Sequence, residues 1–71
     1  PVRDLLTVSF TSVQHEATIS LYSMEGRLIL TSQLRNAMSM QLEMGTYEMG
    51  MYLLKVTDEN GRLVQKKIIR N

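Results

Sequence analysis

Apolar and polar residues alternate along much of this chain with a period of two, the spacing of strands that bury one face. Leu5 to Phe10 sets Leu6, Val8 and Phe10 on one side and Thr7 and Ser9 on the other. Thr11 to Glu16 reads as a polar connection, after which Ala17, Ile19 and Leu21 again point one way. Ser23-Met24-Glu25-Gly26-Arg27 turns the chain, Gly26 supplying the left-handed residue such a turn requires. Leu28 to Leu34 returns as the partner strand, so residues 17 to 34 are predicted to form a hairpin. Arg35-Asn36-Ala37 reads as a second turn, and Met38 to Met44 then alternates without a fault. A helix would scatter those methionines over every side, so strand is the better assignment. Their plainest use is to fill gaps in a small core, as a flexible thioether does, rather than to hold a metal or cofactor.

Gly45 to Met49 is a loop, and Gly50 opens a closing hairpin. In its first arm Tyr52, Leu54 and Val56 share a face, opposite Met51, Leu53 and Lys55. Asn60-Gly61 predicts the reversal, a type I′ turn with both central residues at positive φ. The second arm has no clean apolar face: one row is Leu63, Gln65, Lys67 and Ile69, the other Val64, Lys66 and Ile68 between two arginines. Two arrangements fit. A bulge shifts the register, or this is an edge strand on which Lys66 lays its aliphatic stem over the core and lifts its charge to water. Six short strands with turns between them and no helical periodicity predict an all-β fold, an antiparallel sandwich or small barrel.

The chain of 71 residues is short enough that one domain can barely bury a sufficient core, and it has no cysteine to add a disulfide or a thiolate-bound metal. Net charge is +1, which argues against bulk attraction to nucleic acid or anionic lipid. Its distribution is less even. Residues 1 to 61 hold four basic and seven acidic side chains, or −3, whereas residues 62 to 71 hold four basic and none acidic, or +4. A basic terminal strand is either a site that a partner reads or an edge guarded by lysines against unwanted pairing. No run approaches the ~20 apolar residues of a membrane span, so no direct membrane insertion is expected. The abrupt start at Pro1, without a signal peptide, fits a domain cut from a larger protein, with residues 1–71 a single domain.

Candidate chemistry is sparse. His15 stands alone beside Glu16, which makes a poor metal site and an ordinary solvated loop histidine. The acids are scattered over turns and outward positions and form no acid–base pair, and the glycines sit singly rather than in a phosphate loop. No catalytic residue, metal ligand or cofactor site is assigned, and the domain is not expected to be an enzyme, whatever its parent protein does. A carbohydrate-binding module would have only Tyr22 and Tyr47 as stacking platforms, with no tryptophan. An oligonucleotide-binding module would need aromatics interleaved with the basic residues, and the basic strand has none.

Several stretches together resemble the type A C-terminal sorting domains of the type IX secretion system. Pro1-Val2-Arg3-Asp4-Leu5-Leu6-Thr7-Val8 is similar to the second half of that family's opening segment. Ile19 to Leu28 resembles its central hairpin, with the glycine-basic pair Gly26-Arg27. Gly50-Met51-Tyr52-Leu53-Leu54-Lys55-Val56 resembles its Gly-x-Tyr strand, and Asn60-Gly61 to Lys66-Lys67-Ile68-Ile69-Arg70 its terminal basic-apolar signature. Tyr47 stands where the family often has leucine. The resemblance implies a small immunoglobulin-like antiparallel β-sandwich of about six to seven short strands. It also implies an address. A passenger reaches the periplasm by a separate N-terminal signal, and this domain then presents it to the outer-membrane translocon of a Gram-negative bacterium. A surface sortase removes the domain on its N-terminal side, leaving the cargo at the cell surface or secreted. On this reading Lys66, Lys67, Ile68, Ile69 and Arg70 are the candidates for translocon or sortase recognition. Gly26, Gly50, Tyr52, Lys55 and Gly61 are motif residues with a structural role. The exposed edge strand also offers a surface for a dimer. An appended carbohydrate-binding or inert spacer module is the alternative.

Overall fold

The computed structural model describes residues 5–70, so the opening Pro1 to Asp4 and the final Asn71 lie outside the described residues. The described chain is all-β and forms one antiparallel sheet of four strands. β1 spans Leu5–Ser23, β2 Leu28–Glu43, β3 Gly50–Thr57 and β4 Leu63–Arg70. Their order is β2-β1-β3-β4, which puts β4 at an edge.

The expected count of six to seven short strands is replaced by four because two breaks do not end their strands. Thr11 to Glu16, expected as a connection, continues β1, and Arg35-Asn36-Ala37, expected as a turn, continues β2. Neither stretch contains glycine or proline, and Ser, Thr and Val are compatible with extended backbone. Asn36 absorbs the bend with a φ of 52°, a conformation asparagine tolerates better than most residues. At this place β1 advances five positions, from Ser9 to Gln14, while β2 advances two, from Ser39 to Ala37. The odd surplus on β1 lets its buried row change from Val8 to Ala17, Ile19 and Leu21 without leaving the core.

The hairpin has two halves. The inner half of β1 pairs with β2 between Gln14 and Tyr22 and with β3 between Thr18 and Ser23, while residues 5–9 pair with β2 alone. Val8 and Leu42 of the outer half share one core with Ile19, Leu21, Leu54 and Ile68. Met44, just beyond β2, has no exposed surface at all, in keeping with methionine as core filler.

Both tight reversals use the same chemistry. At Ser23–Arg27 the Ser23 amide donates to the Arg27 carbonyl (2.9 Å), the Gly26 amide to the Ser23 carbonyl (3.0 Å), and the Ser23 hydroxyl accepts from the Arg27 amide (3.1 Å). At Asp58–Arg62 the Asp58 amide donates to the Arg62 carbonyl and the Gly61 amide to the Asp58 carbonyl, both at 3.0 Å. The Asp58 carboxylate accepts from the Asn60 and Arg62 amides, both at 2.9 Å. Gly26 and Gly61 hold φ of 93° and 81°, and Asn60 is not among the positive-φ residues. The second reversal is therefore a three-residue loop closed by a glycine bulge, not the two-residue type I′ turn that Asn-Gly predicts. The Asp58 side chain selects it, by binding two amides that a two-residue turn would not present.

Candidate functional site

The geometry of β4 decides between the two arrangements left open for it. Its pairing with β3 runs from Thr57↔Leu63 to Gly50↔Arg70 without a shift, so there is no bulge. Val64, Lys66, Ile68 and Arg70 share the core-facing row, opposite Val56, Leu54, Tyr52 and Gly50 of β3. Lys66 lines a groove with Val64 and Ile68 while remaining exposed, so an edge strand with a lysine lifted from the core face is the arrangement found. Leu63, Gln65, Lys67 and Ile69 form the outward row. The two isoleucines divide accordingly: Ile68 is 8% exposed and Ile69 46%.

The five candidate recognition residues are thus adjacent in sequence but unlike in surroundings. Lys66, Lys67 and Ile69 are exposed, and Ile68 belongs to the core. Arg70 is half-buried, and its Nε donates to the Met44 carbonyl at 2.7 Å and one terminal nitrogen to the Gly45 carbonyl at 3.3 Å. These bonds tie the end of β4 to the chain just beyond β2, which otherwise pairs on the far side of β1. A guanidinium suits this because it offers several donors in a fixed plane.

The motif residues lie nearby. Gly50 opens β3 at a φ of 143°, opposite Arg70, with nothing within 4 Å of where a Cβ would stand. It is conformation, not crowding, that suits glycine there. Tyr52 is buried, its hydroxyl donates to the Glu48 carbonyl, and its ring lies tilted against that of Tyr47 with centroids 6.4 Å apart. Lys55 projects from the outward side of β3 with Nζ 4.8 Å from the centre of the Tyr22 ring. Both tyrosines considered as sugar platforms are therefore engaged, Tyr22 under Lys55 and Tyr47 against Tyr52.

At the other end, a tie unseen in the sequence fastens the β3–β4 loop to the bend of β1. Gln14 is buried, its Oε1 accepts from the Glu59 amide (3.0 Å), and the His15 amide donates to the Glu59 carboxylate (2.8 Å). A glutamine in a polar run gives no sign that it will be enclosed. His15 itself is exposed, its Nδ1 3.4 Å from Asn36 Oδ1. Among the described residues, no group of three His, Cys, Asp or Glu side chains could hold a metal ion.

Comparison with known proteins gives these features a context. The description "Secretion system C-terminal sorting domain" matches residues 1–70. The chain belongs to this family. It is a C-terminal sorting signal of type IX secretion, a domain that is not itself catalytic and that directs export through the outer membrane to the cell surface or beyond. It is similar to an endo-acting ulvan lyase of Formosa agariphila, 29% identical over 69 residues, covering 97% of this chain and 13% of that protein. The chain thus spans a small fraction of that relative's length. No solved structure matches the sorting domain.

Proposed function

We propose that the sorting domain is read by the outer-membrane translocon chiefly through the exposed residues of β4, Lys66, Lys67 and Ile69, with Ile68 and Arg70 holding that strand in place. The observation that carries this reading is the split along β4: three neighbours face solvent on an edge strand while the other two are tied into the fold. Exposed charges and an exposed isoleucine add little to stability, so their contribution is to binding. Their partner is the secretion machinery, and a surface sortase then cuts on the N-terminal side. The passenger crosses the periplasm before this step. The outer half of the β1–β2 hairpin shares its core with β3 and β4, which supports an immunoglobulin-like two-layer description.

The test is a periplasm-targeted reporter carrying this domain in a bacterium that has the type IX system. Export of the reporter, lost in Lys66→Glu/Lys67→Glu with β structure intact by circular dichroism, is the expected result. Retention of the wild-type fusion while another sorting domain exports its reporter would sink the reading. Truncating Lys67 to Asn71 is a poorer experiment, because it also removes the buried Ile68 and the Arg70 tie.

A further inference from the structure

The free edge of β4 has a definite hydrogen-bonding face. In an antiparallel pair, opposed residues alternate between those that exchange backbone hydrogen bonds and those that do not. The Asp58 amide donates to the Arg62 carbonyl, which makes that pair a bonded one. Counting by twos along the unbroken register, Val64, Lys66, Ile68 and Arg70 turn their amides and carbonyls toward β3. Leu63, Gln65, Lys67 and Ile69 turn theirs away from it, to the side of the sheet where the strand order ends. The edge has no proline or bulge along its 8 residues; the devices it does carry against indiscriminate pairing are Lys66 and Lys67, which a strand of opposite charge can satisfy.

The side chains at that edge select what can add to it. Neither β3 nor β4 contains an acid, while together they carry Lys55, Lys66, Lys67 and Arg70. Beneath the core-facing row runs a groove of about 330 Å³ between the outer half of β1 and strands β3 and β4. Leu6, Phe10, Val56, Val64 and Ile68 line it, and among the described residues lining it only Lys66 is charged. A second copy of β4 is a poor occupant: antiparallel pairing centred on this strand sets lysine against lysine or close to it, and like charges directly opposed are destabilising.

From this we infer that β4 is recognised by strand addition: an extended partner segment, alternating apolar with acidic residues, continues the sheet at the outer edge of β4. Its backbone pairs with Leu63, Gln65, Lys67 and Ile69; its carboxylates share the outward face with Lys67, and its apolar side chains continue the core-facing row beside Val64, the Lys66 stem and Ile68. Main-chain bonds supply affinity and the alternate side chains supply selectivity. The inference rests on the proposal that the translocon reads β4, and it specifies the chemistry of the element that does so.

The probe is an acetylated, amidated peptide of 8 residues, the length of β4, alternating valine and glutamate. Its companions are the same peptide with lysine for glutamate and a version N-methylated at every residue. Binding to the 71-residue chain is followed by fluorescence anisotropy, and amide exchange by NMR. The acidic peptide is expected to bind and to slow exchange at Leu63, Gln65, Lys67 and Ile69, leaving Val64, Lys66 and Ile68 little changed. The lysine peptide should bind about tenfold more weakly, and the N-methylated peptide not at all. Lys66→Glu/Lys67→Glu should reverse the preference, with Lys66→Gln/Lys67→Gln, expected to abolish it, used if the reversal does not fold.

Equal binding by the N-methylated peptide would reduce the effect to charge alone and overturn strand addition. Protection of the same four amides in the chain without peptide, growing with concentration, would overturn it in favour of a second copy. Absence of binding, or unaltered exchange, also overturns it. Reporter export is measured separately. A domain that exports its cargo yet fails the peptide test leaves the sorting role standing and removes only this mode of recognition.

Discussion

Replacing Ile68 and Ile69 in turn by alanine separates a residue that holds the fold from one proposed to be read by the translocon. Ile68 is 8% exposed, packs in the common core and lies opposite the buried Tyr52. Truncating a buried isoleucine costs about 2–5 kcal/mol, and the lower figure applies where surroundings can relax, as beside the groove that Ile68 lines. A domain this small rarely has more than about 3–5 kcal/mol in hand, so a loss of about 2 kcal/mol is roughly half of it. With each kcal/mol moving the midpoint by about 4–8 °C at this size, Ile68→Ala should melt about 10 °C or more below the parent. Ile69, 46% exposed on the other face, should change stability by no more than about 0.5 kcal/mol. Thermal unfolding by far-ultraviolet circular dichroism measures both, and reporter export is scored in parallel at a temperature where both variants remain folded. Ile69→Ala is expected to keep its midpoint and lose export. Equal destabilisation by the two substitutions, or the reverse order, would refute the assignment of faces along β4.

Arg70→Ala removes the bonds to the Met44 and Gly45 carbonyls and should lower the urea midpoint by an amount corresponding to about 1–2 kcal/mol. Arg70→Lys should recover only part of this, since one ammonium cannot reproduce the planar set of donors. Gly50→Ala places a side chain at a φ of 143°, which costs about 1–3 kcal/mol in denaturant unfolding although no neighbour is within 4 Å. Gln14→Ala should speed exchange of the Glu59 amide and cost about 1–2 kcal/mol, because that amide loses its acceptor. Unchanged exchange at Glu59 would show that the tie does not hold the loop.

The period-two pattern carried most of the all-β assignment, and Ala17, Ile19, Leu21, Tyr52 and Leu54 are buried as their alternation predicts. What the pattern could not convey was the continuity of β1 and β2. Thr11 to Glu16 is polar because it lies where the hairpin bends, and a bend in a long strand and a connection between short ones look alike in composition. The Asn-Gly signal located a reversal correctly and mistook its length, because a side chain two residues earlier, Asp58, fixes the loop. For the site, the basic character of β4 was legible, but the division of labour along it was not. Arg70 reads as one more exposed cation until a carbonyl 26 positions earlier in the chain is found beside it. Contacts of that range depend on topology, which local periodicity does not encode.

Because β4 follows the other three strands in the chain, it is the last of them to leave the ribosome. Until it pairs, β3 lacks one neighbour, Ile68 is missing from the core, and the carbonyls of Met44 and Gly45 wait for Arg70. The same 8 residues that complete the domain also display Lys66, Lys67 and Ile69. On the proposal that the translocon reads β4, an address on a closing strand reports more than identity. It becomes legible only on a chain synthesised through its sorting domain and folded there, so a truncated passenger carries neither the finished fold nor the label that would release it.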